Sequence, residues 1–182
     1  MATLEARCLD AFPTWLRSLG EDARALSLVL EAGDAGNAQR KACAALNYLF
    51  KSLDLIPDGL EDLGFIDDAF VVRAAADALK QESEAELSSD ASGTLARLAS
   101  ECELVREFLG AEYARLAKYV AALEQGSARG RSVNDILSNA ETRADFVREV
   151  REWASGYAVP SFTRDERNLV KLRSFLLAKL PA

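Results

Sequence analysis

The stretch that decides the fold is LARLASECELVREFLGAEYARLAKYVAAL, residues 95–123. Its mostly apolar side chains recur at intervals of three or four residues: Leu95, Leu98, Cys102, Val105, Leu109, Tyr113, Leu116, Val120 and Leu123. This spacing places them along one face of an α-helix. It predicts a helix roughly 45 Å long, at ~1.5 Å per residue, that packs this face into a helix bundle. Because Gly110 lies inside the stretch, a kink or break at that residue is the alternative.

The rest of the chain has the same helical character. Helix-forming residues dominate, Gly and Pro are sparse, and no stretch alternates β-branched with polar residues. We therefore predict an all-α fold, a multi-helix bundle with one long central helix and no sheet.

Glycine, proline and capping residues predict the ends of the N-terminal helices. We expect a first helix near Leu4–Ala11, a second segment that begins at Pro13 and stops at Gly20, and a third over Glu21–Glu31. A further helix, about residues 38–53, follows a glycine-rich loop whose Asn37 is placed to cap it.

Similar signals predict the C-terminal helices. The run Ser132-Val133-Asn134-Asp135 is typical of a helix N-terminus, and a break near Ser138–Asn139 is expected. The run Thr163-Arg164-Asp165-Glu166 predicts a capping box for a last helix to about Leu180, with apolar leucines on one face and basic residues on the other. Attachment of this basic helix to an anionic membrane surface is an alternative that the net charge of −7 argues against.

The serine-rich run at residues 88–93 is the best candidate for a linker. It divides the chain into an N-terminal half, residues 1–88, and a C-terminal half, residues 89–182. A single continuous domain is the alternative.

Composition excludes several classes of enzyme. The 182 residues include no histidine, so a Ser-His or Cys-His nucleophile pair, an imidazole base and a histidine metal ligand are excluded. The three cysteines, at positions 8, 43 and 102, are too widely spaced for a thiolate zinc site. No signal peptide and no apolar run of membrane-spanning length is present, so we expect a soluble, cytoplasmic protein.

Negative charge is concentrated in the middle of the chain. Residues 54–92 carry eleven acidic and two basic side chains, a net charge of −9. This charge argues against nucleic-acid binding, since it repels phosphate. It favours a divalent cation, a basic partner, or neutralisation by the arginine-rich C-terminal half, for example by Arg143, Arg148 or Arg151.

The densest part of this segment is DLIPDGLEDLGFIDD, residues 54–68. Pro57 predicts a rigid turn after a helix, and Asp58 with Glu61 resembles a helix cap. Gly64 is a candidate helix stop with positive φ. The next helix should begin at residue 66 or 67 and carry two aspartates in its first turn.

Four carboxylates of this segment are candidate metal ligands: Asp54, Asp58, Asp67 and Asp68. Like charges this close repel one another unless something neutralises them. Oxygen-only ligands suit Mg²⁺, Mn²⁺ or Ca²⁺ rather than zinc. The structural alternative is that these carboxylates cap helices and organise the loop together with Pro57 and Gly64.

The order Asp-x-Ile-Pro-Asp followed by Gly-x-Ile-Asp-Asp is similar to the signature of the YkvA-like family, a bacterial domain of unknown function. The resemblance covers about residues 46–76 and implies a small helical hairpin around this loop. It also implies a link with membranes, whereas the flanks of the motif in this chain are less apolar than is common in the family. The resemblance supplies no reaction and no catalytic residues.

These observations favour a non-enzymatic interaction or regulatory module with an unidentified protein partner, and a homodimer is left open. The alternative is a divalent-cation-binding protein or a metal-dependent hydrolase that uses the acidic loop. No residue is assigned to catalysis or to an organic cofactor.

Overall fold

The structure is a computed structural model that describes residues 1–32, 36–52, 54–82 and 89–182. Its helices and strands are, in chain order, α1 (Leu4–Glu31), α2 (Asn37–Tyr48), α3 (Ile66–Glu82), α4 (Ser89–Leu109), a 3₁₀ turn (Gly110–Glu112), α5 (Tyr113–Ala122), a second 3₁₀ turn (Leu123–Gln125), β1 (Ser127–Ala128), β2 (Arg131–Ser132), α6 (Val133–Ser138), α7 (Ala140–Gly156) and α8 (Glu166–Lys179). The prediction of an all-α helical bundle is confirmed.

The first helix is continuous where the sequence predicted three segments. α1 runs for 28 residues through Pro13 and Gly20, so neither residue begins or stops a helix. Pro13 has no N–H group and cannot donate the usual hydrogen bond within the helix. The packing of the buried face, which includes Phe12, Leu16 and Leu19, keeps the helix continuous at this residue. Gly20 instead permits close helix packing, since an added Cβ would lie 3.1 Å from the carbonyl oxygen of Ala154 in α7.

The predicted long helix of residues 95–123 is interrupted at Gly110, as the alternative prediction had it. Gly110 has a φ of +58°, and the chain passes through a 3₁₀ turn before α5 begins at Tyr113. The periodic side chains are nevertheless mainly buried, because α4 and α5 both turn them towards the core. The prediction of one long helix over residues 95–123 is therefore wrong. The longest described helix is α1.

A small antiparallel hairpin corrects the prediction that no sheet is present. Ser127 pairs with Ser132 and Ala128 with Arg131. The two residues between the strands, Arg129 and Gly130, both have positive φ, as a two-residue hairpin turn requires.

Helix caps agree with the sequence in part. Ser132 caps α6, as predicted, in a capping box with Asp135, and Asn139 caps α7 after the predicted break. Asp165 caps α8 by accepting a hydrogen bond from the backbone of the second helical residue, so the capping box predicted from residue 163 is wrong. Asn37 is the first residue of α2 and not its cap.

One hydrophobic core includes buried residues from both predicted halves of the chain. α1 packs against helices from both halves, and α3 packs against α4. Residue 88 lies outside the described residues, and residues 89–93 belong to α4, so the linker predicted there is wrong for those residues. The division into halves at residue 88 stays a prediction.

Ion pairs connect α3 to α1 and α4. The guanidinium of Arg73 is fully buried and lies 2.8 Å from a carboxylate oxygen of Glu101 in α4 and 3.5 Å from one of Asp22 in α1. Nearer the end of α3, Asp77 is paired with Arg106 of α4. Part of the negative charge of residues 54–92 is therefore neutralised by the C-terminal half, as one of the sequence alternatives expected.

Among the described residues, no helix combines the length and the apolar character needed to cross a membrane. The leucines of α8 at positions 169, 172 and 176 are buried. They pack into the protein core, and the exposed face of this helix is mainly polar apart from Val170.

Candidate functional site

The acidic loop, residues 54–65, lies between α2 and α3 and leads into α3 through successive turns. The backbone N–H of Leu60 donates to the carbonyl oxygen of Pro57 at 3.0 Å, and that of Gly64 donates to Leu60 at 2.9 Å. α3 then begins at Ile66, as predicted. The sequence folds this way locally because Pro57 cannot continue a helix and Gly64 admits a close backbone contact.

Gly64 has a different role from the one predicted. Its φ is not positive, but a Cβ at this position would lie 2.1 Å from the carbonyl oxygen of Asp58. The positive φ values belong to its neighbours, Asp62 at 63° and Phe65 at 64°. Residues 58–65 form turns and no helix, so the capping role predicted for Asp58 with Glu61 is wrong. Backbone strain of this kind is often found at functional sites.

Asp67 anchors the loop from the first turn of α3. Its Oδ2 accepts a hydrogen bond of 2.6 Å from the hydroxyl of Tyr48 and one of 3.1 Å from the backbone N–H of Ile56. The same hydroxyl accepts a hydrogen bond of 2.8 Å from the N–H of Leu55. Tyr48 and Asp67 together therefore join the end of α2, the acidic loop and α3.

Three of the four predicted carboxylates have a buried oxygen atom without a hydrogen-bond partner among the described residues. These atoms are Oδ1 of Asp54, Oδ1 of Asp67 and Oδ2 of Asp68. Asp67 and Asp68 are 0% and 2% exposed, whereas Asp58 lies at the surface. Buried carboxylate oxygens normally have partners, because removing them from water without one is unfavourable.

Burial raises the pKa of each of these carboxyl groups. It raises the pKa of Asp54 to about 7, with repulsion from Asp58 and Asp67 adding to the effect. It raises the pKa of Asp67 to about 6, although the hydrogen bond from Tyr48 lowers this pKa. It raises the pKa of Asp68 well above the usual value, and repulsion from the other three aspartates adds to this effect. The four predicted residues, here called the acidic cluster, therefore act on one another electrostatically.

Lys51 is the positive group that lowers the pKa of Asp54. Its ammonium nitrogen lies 5.9 Å from the ring centre of Tyr48 and 5.3 Å from that of Tyr119. It also donates to the Tyr119 hydroxyl at 3.2 Å. Sequence reasoning missed both Lys51 and Tyr48. Their spacing of three and six residues before Asp54 was the available signal, but it gave no indication of which side chains would reach the cluster.

The arginines predicted to neutralise this cluster do not do so. Arg148 pairs with Asp145 at 2.9 Å, and Arg151 pairs with Glu31 at 2.7 Å. Across the described parts of the chain, neither of these nor Arg143 forms an ion pair with the cluster. The prediction is wrong because α7 directs these side chains to other surfaces.

The C-terminal half instead contributes side chains that hold the loop. The backbone N–H and hydroxyl of Thr163 donate to Oδ1 of Asp62 at 2.9 and 3.0 Å. The ring of Phe65 lies 5.5 Å from that of Tyr157 and 6.4 Å from that of Trp153. These two aromatics of the C-terminal half therefore pack against the strained end of the acidic loop.

Within residues 1–32, 36–52, 54–82 and 89–182, no three acidic or cysteine side chains lie in an arrangement that could hold a metal ion. The four aspartates repel one another electrostatically, but no three of them form such a group. A bound cation would therefore have two carboxylates at most as direct ligands, with water completing its coordination.

The fold and this site define a helical bundle with a partly buried acidic cluster at the connection between its second and third helices. The family model described as "Protein of unknown function (DUF1232)" matches residues 41–73. This range contains Tyr48, Lys51 and the whole acidic cluster, and it is less than a fifth of the chain. The resemblance to the YkvA-like family stays a prediction. No curated protein and no solved structure matches the chain.

Proposed function

We propose that this chain is a non-enzymatic regulatory module whose acidic cluster takes up one divalent cation, Mg²⁺, Mn²⁺ or Ca²⁺. The observation that supports this proposal best is the pair of buried oxygens on the adjacent residues Asp67 and Asp68 for which the described part of the chain provides no hydrogen-bond partner. Neither the family match nor the geometry identifies a reaction, so the proposal is limited to binding and its consequences.

Two kinds of partner satisfy a buried carboxylate oxygen that has no donor, a proton and a cation. The raised pKa values favour a proton in the absence of a cation. A divalent cation offsets the repulsion within the whole cluster, since it carries two positive charges into a group of four carboxyls. Mg²⁺ needs only one or two carboxylates besides water, so this proposal is compatible with the lack of a three-residue ligand group among the described residues.

Cation uptake would stabilise the connection between α2 and α3. Asp67 already holds the N–H of Ile56 and the hydroxyl of Tyr48, and both hydrogen bonds favour the ionised carboxyl. A cation that keeps Asp67 ionised would strengthen them and order the acidic loop. This ordering gives the module a way to present one surface to a protein partner in the loaded state.

Thermal unfolding tests the proposal. The protein is unfolded in EDTA and then with Mg²⁺, Mn²⁺ or Ca²⁺ titrated to millimolar concentration. A cation present at ~100 times its Kd stabilises the native state by about 2.7 kcal/mol, which raises the midpoint by several degrees. The matched variants are Asp68→Asn, which should lose the rise, and Asp145→Asn on the exposed face of α7, which should keep it.

An unchanged midpoint in the wild-type protein with all three cations would overturn the proposal. The carboxyl groups of the acidic cluster would then be accommodated in the fold without a bound cation. A rise of equal size in Asp68→Asn would place the cation at another part of the protein.

A further inference from the structure

Lys51 lies beside the acidic cluster, just after the end of α2, and the hydrogen bonds of Asp67 do not explain its position. Its side chain is partly buried, and its ammonium group is directed to the rings of Tyr48 and Tyr119. A lysine on a flexible four-carbon stem usually extends into water unless local charge or aromatic faces hold it.

Three contacts connect this ammonium group to the proposed site. It lies 5.9 Å from the ring centre of Tyr48, whose hydroxyl donates to Asp67 at 2.6 Å. It donates to Tyr119 at 3.2 Å, and the two tyrosine rings meet edge to face with centres 6.1 Å apart. It also acts electrostatically on Asp54, whose Oδ1 is buried without a partner among the described residues.

We propose that Lys51 is the internal counter-ion of the acidic cluster and that it sets the affinity of the site for a divalent cation. This inference rests on the proposed function. The ammonium group supplies one positive charge to the cluster when no cation is bound, and it repels a cation that arrives there. Removal of the Lys51 charge should therefore tighten binding.

The size of the effect follows from Coulomb's law. A unit charge and a divalent cation roughly 6–10 Å apart, at an effective dielectric constant between that of protein and of water, repel each other enough to change affinity about tenfold. Since Lys51 remains partly exposed, salt screens part of this repulsion, and the difference should shrink at high ionic strength.

The experiment measures Mn²⁺ binding to the full chain at pH 7.5 and low salt, by the loss of the free-ion electron paramagnetic resonance signal. The variants are Lys51→Gln, Lys51→Met and Lys51→Arg. Lys51→Met keeps the apolar stem over the tyrosine rings and removes the charge, whereas Lys51→Arg keeps the charge. Lys80→Gln is the control for total charge, because Lys80 lies exposed near the other end of α3, roughly 18 Å along the helix from Asp68 at ~1.5 Å per residue.

We expect about tenfold tighter Mn²⁺ binding in Lys51→Gln and Lys51→Met, with wild-type affinity in Lys51→Arg and Lys80→Gln. If wild-type protein and all variants fail to bind Mn²⁺, the proposed function itself is wrong. If wild-type protein binds and the Gln and Met variants bind within twofold of it or more weakly, only the role of Lys51 is wrong. Unfolding midpoints in EDTA establish that each variant is folded.

Discussion

The hydroxyl group of Tyr48, the last residue of α2, donates a 2.6 Å hydrogen bond to Oδ2 of Asp67 in the first turn of α3. Both residues are almost completely buried. The hydroxyl also accepts the N–H of Leu55, so one oxygen atom connects two helices and the loop between them. This connection explains how a loop with a dense group of acidic side chains keeps one conformation.

Replacement of Tyr48 by Phe should destabilise the protein by about 1–3 kcal/mol. The change leaves the N–H of Leu55 without its acceptor and Oδ2 of Asp67 without its shortest donor, and both atoms are buried. Urea unfolding measures the loss. Tyr119→Phe is the matched control, since the Tyr119 hydroxyl contacts the partly exposed Lys51 and its loss should change stability by less than about 0.5 kcal/mol. Equal losses of stability in Tyr48→Phe and Tyr119→Phe would contradict the conclusion that the Tyr48 hydroxyl holds the loop to the two helices.

Replacement of Gly64 by Ala should destabilise the protein by about 3 kcal/mol. The new Cβ would lie 2.1 Å from the carbonyl oxygen of Asp58 and 3.3 Å from that of Leu60, so the backbone of the loop must move. Gly59→Ala is the control in the same loop, because no atom lies within 4 Å of its added Cβ. We expect this control to change stability by less than about 0.5 kcal/mol, as measured by chemical denaturation.

Replacement of Arg73 by Met should destabilise the protein by about 3–5 kcal/mol. Asp22 is fully buried and would lose one of its positive partners, and Glu101 would lose its closest one. Thermal or chemical unfolding measures the change. Arg148→Met should cost less than about 1 kcal/mol, because its ion pair with Asp145 is exposed on the surface. A small loss of stability in Arg73→Met would mean that the buried ion pairs of Arg73 stabilise the protein no more than apolar contacts at the same position.

In EDTA the protein should become less stable as pH rises from about 5 to about 8. Asp54 and Asp67 lose their protons near pH 7 and pH 6 in the native state but near 3.8 in the unfolded chain. The native state therefore binds more protons in this interval. The stability contributed by these protons is complete below about pH 3.8 and is lost as pH rises through the native pKa values.

Unfolding free energies at pH 5, 6, 7 and 8 test this expectation. Asp54→Asn should make the profile flatter because its side chain does not titrate. Carboxylates whose pKa is lowered in the native state, such as Asp135 and Asp165, act in the opposite direction only near and below their usual value of 3.8. A stability that rises steadily between pH 5 and 8 would contradict the native pKa values of the cluster.

The sequence predicted the helical fold and the four residues of the acidic cluster from short-range patterns. Intervals of three and four residues are a direct consequence of helix geometry, so the buried faces of α4 and α5 could be recognised. The helix N-terminus at Ser132 and the start of α3 at Ile66 depend only on nearby residues, and both were predicted correctly.

Predictions that depended on distant parts of the chain were less successful. α1 continues through Pro13 and Gly20 because α7 and the core pack against it, and local propensity is a weaker effect than that burial. The arginines of α7 were assigned to the acidic cluster from charge alone. The orientation of α7 in the bundle decides which acidic residue each arginine reaches, and local sequence patterns do not specify this orientation.

The sequence by itself thus determined that the chain is helical, that it has no histidine chemistry, and that a dense group of carboxylates lies between two helices. Each of these properties depends on composition or on residues a few positions apart. Only the tertiary structure decided that Asp67 accepts a hydrogen bond from Tyr48, that Oδ2 of Asp68 is buried without a hydrogen-bond partner among the described residues, and that Lys51 lowers the pKa of Asp54. The reason is physical: burial and pairing depend on which surfaces the packed helices bring together.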